Sequence, residues 1–244
     1  HPGIEIDFPD NESDPAFQVA NFGRATTKTL IHATSFGSFV YRFSALRTPQ
    51  SQYGMAPSSV LNPDATNLAY CINHLQSNDA EGHKQLCTLI NRVFPEIKWI
   101  QSPPNTSTMQ FELRCLPLPP EDRRDDLAIP LNKMGTGIGN VIAILYVILT
   151  SRFPQVIAID EPNSFLHPKA LRELLQILDS HGKQHQYILT GHSPEVLTAI
   201  EPSTISYFEI KDSSSKIKQF TKTQYHEFRS ELSDLGIRMT DLHA

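Results

Sequence analysis

The chain has 244 residues, 39% of them hydrophobic and 19% charged, which is enough to bury the core of one domain or slightly more. A formal net charge of -5 argues against a uniformly basic nucleic-acid-binding protein but leaves room for a local basic patch. The longest apolar stretch, Val141 to Leu149, falls well short of the roughly 20 residues that a membrane-spanning helix needs. No signal segment opens the chain, so the sequence predicts a soluble cytoplasmic protein with no membrane partner.

The three cysteines are far apart in the sequence. Cys71, Cys87 and Cys115 show no C-x-x-C spacing, so neither a zinc site nor a disulfide framework is indicated. We expect them to be small core residues in reducing surroundings.

Residues 1–60 contain four short runs that mix β-branched or aromatic residues with polar ones. The runs are IEIDF from Ile4, FQVANF from Phe17, KTLIHA from Lys28 and SFVYRF from Ser38. This pattern predicts an antiparallel β meander and not a nucleotide-binding unit.

Residues 61–126 predict an insertion of helices and strands. A first helix is indicated by apolar residues at helical spacing behind the capping candidates Asn62 and Asp64, and a second runs from Asp79 to Phe94. The expected buried positions are Leu68, Cys71, Ile72 and Leu75 in the first helix and Leu86, Leu89, Ile90 and Val93 in the second. Strands follow in EIKWIQ and STMQFELRC, and the proline- and charge-rich CLPLPPEDRRDD is the expected internal boundary.

Residues 127–210 differ in composition from the preceding segment, with a glycine-rich turn and longer apolar runs. MGTGIGNVIAILYVILTSRF predicts a glycine-rich turn and a very apolar helix, QVIAIDE a buried strand, HPKALRELLQILDSHG an amphipathic helix and QYILTGHS another buried strand. Pro168 suits a first helical turn and Gly182 a helix end. Strand, helix and strand at this spacing predict an α/β fold with a parallel sheet covered on both faces.

Residues 211–244 are expected to complete a strand pair, from STISYFEI and SKIKQFT, and to add a last helix from Gln224 to Leu235. The apolar face of that helix would carry Tyr225, Phe228, Leu232 and Leu235. The sequence shows no internal repeat and no low-complexity tract.

The segment VIAIDEPNSFLHP places two carboxylates, Asp160 and Glu161, at the carboxyl end of a predicted parallel strand. Ligands bind at that edge of open α/β sheets. There, one acidic residue can hold Mg²⁺ and its neighbour can orient or deprotonate a water, which indicates nucleoside-triphosphate hydrolysis. A simple helix-capping turn is the competing interpretation of these residues alone.

Two further segments favour the catalytic interpretation. The next predicted strand ends at His192, where an imidazole can contact a terminal phosphate or the attacking water. Upstream, a glycine-rich turn precedes a helix and offers backbone N–H groups to phosphate. The residues of this turn are Gly135, Thr136, Gly137, Ile138 and Gly139.

Residues 131–200 resemble the second half of an ABC-type ATPase head, as found in SMC-like proteins and in the overcoming-lysogenization-defect (OLD) nucleases. MGTGIG resembles the signature loop, VIAIDE the Walker B strand, PNSFLHP the D-loop and TGHSP the switch-histidine segment. The phrases YRFSALR, LNPDATNLAYCINHL, VFPEIKWI and LSDLGIRMTDLHA extend the OLD resemblance to nearly the whole chain. In that family the last phrase leads into a Toprim nuclease domain.

The resemblance implies a P-loop NTPase-like head that uses ATP and Mg²⁺. Asp160 would support the metal, Glu161 would be the catalytic base and His192 would sense the terminal phosphate. The glycine-rich turn would contact nucleotide bound by the other subunit of a homodimer or higher homo-oligomer. Asn163, Ser164 and His167 would form the D-loop.

This sequence departs from the ABC pattern in three places. Gly135 stands where the signature loop usually has serine, so a hydroxyl contact would come from Thr136. The acidic D-loop residue is replaced around His167, which fits OLD-like sequences better than transporters. No G-x-x-x-x-G-K-[ST] occurs, and we therefore expect the phosphate-binding loop to come from outside these residues.

Other candidate sites are weaker. GHSPE lacks the final glycine of a nucleophile elbow because Glu195 stands there. His181 and His185 have zinc-pair spacing without the glutamate of H-E-x-x-H, so they are expected at the surface. A solvated face is the expectation for Lys211, Lys216, Lys218 and Lys222, and solvent exposure for Arg47, Arg123 and Arg124, although each set could contact phosphates.

The sequence therefore predicts the ATPase domain of an OLD-like ABC protein that dimerises around nucleotide. DNA, and a nuclease or other defence protein, are the implied partners, in phage defence or DNA maintenance. The alternative is a non-catalytic dimerisation or scaffold module with a degenerate or split head.

Overall fold

The computed structural model describes residues 5–7, 18–20, 39–44, 46–55, 58–191, 196, 202–211, 214–221 and 224. Its first strands are β1 (Glu5–Asp7), β2 (Gln18–Ala20), β3 (Val40–Arg42) and β4 (Gln52–Tyr53). Helices α1 (Leu68–Asn78) and α2 (Ala80–Val93) precede β5 (Trp99–Gln101), β6 (Pro104–Asn105), β7 (Gln110–Glu112), β8 (Arg114–Leu116) and β9 (Ile129–Pro130). Then come α3 (Thr136–Thr150), β10 (Val156–Asp160), α4 (Pro168–His181), β11 (Gln186–Thr190), β12 (Thr204–Lys211) and β13 (Ser214–Thr221).

A three-stranded parallel sheet lies at the centre of the predicted α/β unit. Its order is β11, β10, β3, and both outer strands run parallel to β10. Antiparallel sheets accompany it: β1 with β2, β4 with β7 and β6, β5 with β8 and β9, and β12 with β13. The predicted α/β class is confirmed.

Strand β3 corrects the predicted meander. We expected SFVYRF to pair antiparallel within residues 1–60, and of that meander the structure shows β1 against β2. Strand β3 instead pairs with β10, with Val40 opposite Val156. The Tyr41 hydroxyl donates to the carbonyl oxygen of Leu61 at 3.1 Å, so this strand is anchored by distant contacts that a local pattern does not encode. KTLIHA lies outside the described residues.

Only one face of the parallel sheet is covered by the described residues. Ile157 and Ile159 join a hydrophobic core to which all four helices contribute. On the other face, Ile188 is 50% exposed. The expectation of strands covered on both faces is therefore not met within the described part of the chain, because these helices pack against the side that carries Ile157 and Ile159.

Helix α3 is the most deeply buried element. Every residue from Gly139 to Ile148 is buried, as expected for a helix that is apolar on all sides. It packs against both α2 and α4. The core thus joins segments 61–126 and 127–210, and the division of the chain into four segments stays a prediction.

Helix α4 begins and ends where the sequence predicted. Pro168 is its first residue, and His167 caps it by accepting from the backbone N–H of Lys169 at 3.3 Å. A Cβ on Gly182 would collide with the end of the Tyr187 side chain and lie 3.0 Å from the carbonyl oxygen of Leu178, so glycine fits without rearrangement where the chain turns into β11. The buried face is Ala170, Leu171, Leu174, Leu175, Ile177 and Leu178.

Helices α1 and α2 also match their predictions, and all eight apolar positions expected to be buried are buried. The capping differs: Asn67, and not Asn62 or Asp64, stands at the start of α1. The predicted last helix from Gln224 falls almost wholly outside the described residues. No helix among those described combines the length and apolar character needed to cross a membrane.

The three cysteines are free and buried, as expected. Burial raises the pKa of each thiol, Cys71, Cys87 and Cys115, to about 12. These side chains are therefore neutral core residues at ordinary pH.

Candidate functional site

Asp160 is the last residue of β10 and lies directly opposite Thr190, the last residue of β11. The Thr190 hydroxyl donates a hydrogen bond to Oδ1 of Asp160. The Asp160 side chain is half-buried, so it is fixed on one side and accessible on the other. This is the predicted position at the carboxyl edge of the parallel sheet.

Glu161 turns the chain sharply away from the sheet. Its φ of 48° lies in the left-handed region, which costs a residue other than glycine about 1–3 kcal/mol. The turn is held by two backbone bonds, from the Glu161 N–H to the carbonyl of Thr190 at 3.0 Å and from the Ser164 N–H to the carbonyl of Glu161 at 3.1 Å. The surrounding hydrogen bonds thus offset an unfavourable conformation at a carboxylate.

Side-chain oxygens of Glu161 and Asn163 lie close to Gly191, around the position that a Cβ atom would take. A Cβ built on Gly191 would lie 3.8 Å from Oε2 of Glu161 and 3.6 Å from Oδ1 of Asn163. Oδ1 of Asn163 is buried, and within the described residues it accepts no hydrogen bond. Among the described residues no atom lies closer than 3.6 Å to this position, and two acceptor atoms border it.

The segment from Asn163 to His167, which we call the post-strand turn, connects the carboxylates to α4. The Leu166 N–H donates to the carbonyl of Asn163 at 3.0 Å. Phe165 has a φ of 62°, and its side chain is 80% exposed. The interaction that the structure shows for the His167 ring is the cap of α4. Phe165 is the exposed large apolar residue of this turn, and it was not selected from the sequence.

The residues Gly135, Thr136, Gly137, Ile138 and Gly139, which we call the glycine loop, begin α3. Gly135 and Thr136 are exposed at the helix N-terminus, where the first backbone N–H groups have no partners within the helix. Gly137 and Gly139 are buried. An exposed helix start of this kind favours anions.

The glycine loop and the post-strand turn are in direct contact. A Cβ on Gly137 would lie 2.4 Å from the carbonyl oxygen of Phe165 and 2.8 Å from Cδ2 of Leu166. Together with the end of α2 they border a groove of about 360 Å³, lined by Val93, Glu96 and Lys169 among others. The structure therefore joins the predicted loops to each other, and the post-strand turn joins them to Glu161.

His192, the predicted phosphate sensor, lies outside the described residues. The preceding strand β11 and Gly191 are described, and Gly191 lies next to the Glu161 and Asn163 side chains. The catalytic assignment of His192 remains a prediction from the sequence.

Arg47 is the site residue whose position the sequence misjudged. Its side chain is 8% exposed, and its Nη1 and Nη2 donate to the carbonyl oxygens of Asp160 at 2.8 Å and Glu161 at 3.2 Å. Burial lowers the pKa of this guanidinium, and the charge of Asp160 opposes that effect. Solvent exposure was the expectation because Arg47 lies in a loop, and no local signal indicates partners more than a hundred residues away.

Of the other residues considered from the sequence, some have the predicted exposure and one does not. Arg123 and Arg124 are exposed as expected, and Arg124 pairs with Asp126 at 2.8 Å. His181 is exposed, but His185 is 8% exposed and accepts from the Gln155 N–H at 3.2 Å, so its predicted surface position is wrong. Burial also lowers the pKa of His185. In the part of the chain described, no three potential ligands group as a metal site.

Three solved structures with a similar backbone fold belong to SMC proteins. One belongs to the structural biochemistry of ATP-driven dimerization and DNA stimulated activation of SMC ATPases; it has 12% identity, 66% of this chain and 97% of that chain are covered, and the TM-score is 0.49. A SmcHead bound to the C-winged helix domain of ScpA has 13% identity, 66% and 51% coverage and a TM-score of 0.49. An Smc head domain from Pyrococcus yayanosii has 11% identity, 66% and 31% coverage and a TM-score of 0.48. No residue role follows from likenesses this distant.

Among curated proteins, none matches this chain. A family model described as "AAA domain, putative AbiEii toxin, Type IV TA system" matches residues 66–198. The match covers more than half of the 244 residues and includes the glycine loop, both carboxylates and the post-strand turn. The chain therefore belongs to this family of AAA-domain proteins, whose domain is of the nucleotide-binding ATPase type.

Proposed function

We propose that this chain is the ATP-binding and ATP-hydrolysing domain of an OLD-like ABC ATPase. Membership of an AAA-domain family supports the ATPase class. The observation that carries the catalytic assignment is the arrangement at the end of β10, where Asp160 is fixed by Thr190 and Oε2 of Glu161 borders the space beside Gly191. Two adjacent carboxylates with separate surroundings can take separate roles.

The residues fit the predicted ATP and Mg²⁺. Thr190 holds Oδ1 of the half-buried Asp160, and Asn163 presents a buried oxygen that the described residues leave unsatisfied. When bound, Mg²⁺ would neutralise charge on the phosphates. Asp160 would support the metal, and Glu161 and Asn163 would accept hydrogen bonds from a water in the space at Gly191. Glu161 would take its proton.

The glycine loop and the post-strand turn suit the roles of signature loop and D-loop. The exposed start of α3 can approach phosphate on another subunit, and Phe165 presents an apolar side chain beside it. We therefore propose a homodimer that closes around nucleotide. DNA as partner, a nuclease activity under its control, a cytoplasmic setting and a role in phage defence or DNA maintenance rest on the OLD resemblance.

The test is Glu161→Gln in the protein supplied with a phosphate-binding loop, either in the same polypeptide or by a partner. Because the amide cannot accept the proton, kcat for ATP should fall about 10²–10⁴-fold. Binding of ATP should persist, since the contacts of Asp160 and the glycine loop are unchanged. ATP turnover and nucleotide affinity are measured on the same preparation.

Glu121→Gln is the matched control, since Glu121 lies exposed in the loop before β9. It should leave turnover unchanged. Equal turnover in the wild type and the Glu161 variant would exclude the catalytic assignment. In that case the scaffold alternative, which keeps the fold and dimerisation without hydrolysis, would take its place.

A further inference from the structure

Arg47 is a buried cation whose contacts are with the main chain. Within the described residues, its hydrogen bonds go to the carbonyl oxygens of Ser44 at 3.4 Å, Asp160 at 2.8 Å and Glu161 at 3.2 Å. Its Nε is buried and has no partner there. Burying a guanidinium is costly, and at this position the two carbonyl oxygens at the end of β10 and the nearby charge of Asp160 offset that cost.

The backbone that carries Arg47 is anchored on both sides. The Phe43 N–H donates to the carbonyl of Ala158 at 3.0 Å, which continues the pairing of β3 with β10. The Thr48 N–H donates to the carbonyl of Asp64 at 2.9 Å, in the segment before α1. The guanidinium therefore extends from a fixed main chain, and its position is well defined relative to β10.

The planar guanidinium matches its target in a way that lysine cannot. Nη1 and Nη2 contact the carbonyls of successive residues, one at the strand end and one at the left-handed turn of Glu161. A single ammonium group lacks that fixed fork of donors. The contact thus holds the peptide planes on both sides of the Glu161 Cα, from which the carboxylate projects.

We infer that Arg47 is a positioning residue that sets the orientation of the Glu161 carboxylate by holding the carbonyls of Asp160 and Glu161. The inference rests on the proposed function, because its consequence is for ATP hydrolysis. The hydrogen bonds of Arg47 go to carbonyl oxygens and not to the Glu161 carboxylate, so it acts on Glu161 through the backbone, while its charge also interacts with that of Asp160. It also connects the segment before α1 to the hydrolytic site.

The test is Arg47→Lys, which keeps the charge and removes the fork. A displacement of about 1 Å at a catalytic group can lower turnover about 10²-fold, and we expect a loss of that order in kcat with ATP affinity unchanged. Arg124→Lys is the control, because Arg124 forms an exposed pair with Asp126 in the loop between β8 and β9. Unchanged kcat, or a parallel loss of ATP affinity, would overturn the inference.

Two further measurements separate positioning from a general structural role. In the Glu161→Gln background, Arg47→Lys should cause no additional loss of kcat, because both changes act through one group. A full additional loss would show that Arg47 acts elsewhere. Amide hydrogen exchange at Glu161 and Ser164 should rise in Arg47→Lys, and unchanged exchange would contradict the inference even if the variant is slow.

The same set of variants distinguishes this inference from the proposed function. If Glu161→Gln abolishes turnover while Arg47→Lys does not reduce it, only the role of Arg47 is wrong. If neither the wild type nor any variant hydrolyses ATP, the proposed function fails, and the inference fails with it.

Discussion

Gly137 and Gly54 differ in what surrounds them. A side chain on Gly137 would collide with the carbonyl oxygen of Phe165, whereas no atom of the described residues lies within 4 Å of a Cβ on Gly54. Backbone atoms cannot move aside as the end of a flexible side chain can. The contact between the glycine loop and the post-strand turn therefore depends on the absence of a side chain at position 137.

Gly137→Ala should destabilise the fold by about 1–3 kcal/mol, the usual cost of an overpacked site. Alanine is the better helix former, so the loss measured is what remains after that gain. Gly54→Ala is the control and should be neutral or slightly stabilising. Urea denaturation measures both, and equal stability of the two variants would show that Phe165 moves aside without cost.

At the residue scale, the sequence identified Asp160, Glu161 and Asn163 because a recognisable motif follows a strand. The buried position of Arg47 was not predicted because its hydrogen-bond partners are more than a hundred positions away in the sequence. His185 was misplaced for a similar reason, since its hydrogen bond with Gln155 forms only when the strand ends meet. Motifs encode local chemistry, whereas burial of a loop residue depends on the completed fold.

At the element scale, α4 is attached mainly by its apolar face. Leu174 is fully buried, whereas the neighbouring Glu173 forms a 3.5 Å pair with Arg92 of α2 in which both side chains remain about one-third exposed. Solvent weakens such a pair, while a buried leucine loses both transfer energy and packing when truncated.

Leu174→Ala should lower the free energy of unfolding by about 2–5 kcal/mol. Glu173→Ala, the adjacent position on the same helix, should change it by at most about 1 kcal/mol. Thermal and urea unfolding give both values. A decrease in the free energy of unfolding that is larger for Glu173→Ala than for Leu174→Ala would mean that the ion pair, and not the apolar face, holds α4 to α2.

Helices were predicted well because their apolar spacing and end signals are local, as Pro168 and Gly182 of α4 show. Strand partners were not. Tyr41 and its neighbours carry the β pattern, but that pattern does not state whether β3 joins a meander or lies parallel to β10. Ile188 likewise belongs to an apolar run typical of a buried strand, although its side chain is 50% exposed when only the described residues are considered.

At the scale of the whole molecule, two exposed phenylalanines mark different ends of β10. Phe165 follows its carboxyl end and is 80% exposed, while Phe153 precedes its amino end and is 70% exposed. The proposed dimer closes at the carboxyl end. Only Phe165 is expected to become covered on closure.

Phe165→Ser should weaken ATP-dependent dimerisation of the Glu161→Gln protein, and Phe153→Ser should not. Neither change should alter the stability of the monomer, because both side chains are already in solvent. Sedimentation velocity with and without ATP measures the dimer fraction. Equal dimer fractions for the two variants would place the contact between subunits elsewhere.

At Gly137 the backbone of the glycine loop lies so close to the carbonyl of Phe165 that not even a methyl group fits between them. A displacement at the start of α3 must be transmitted to the segment that follows Glu161, and the reverse holds equally. In the proposed dimer, the surface offered to a second subunit would therefore be in direct contact with the segment that carries the Glu161 carboxylate. Under that proposal, engagement of the surface and alignment of the carboxylate would be coupled and would occur together.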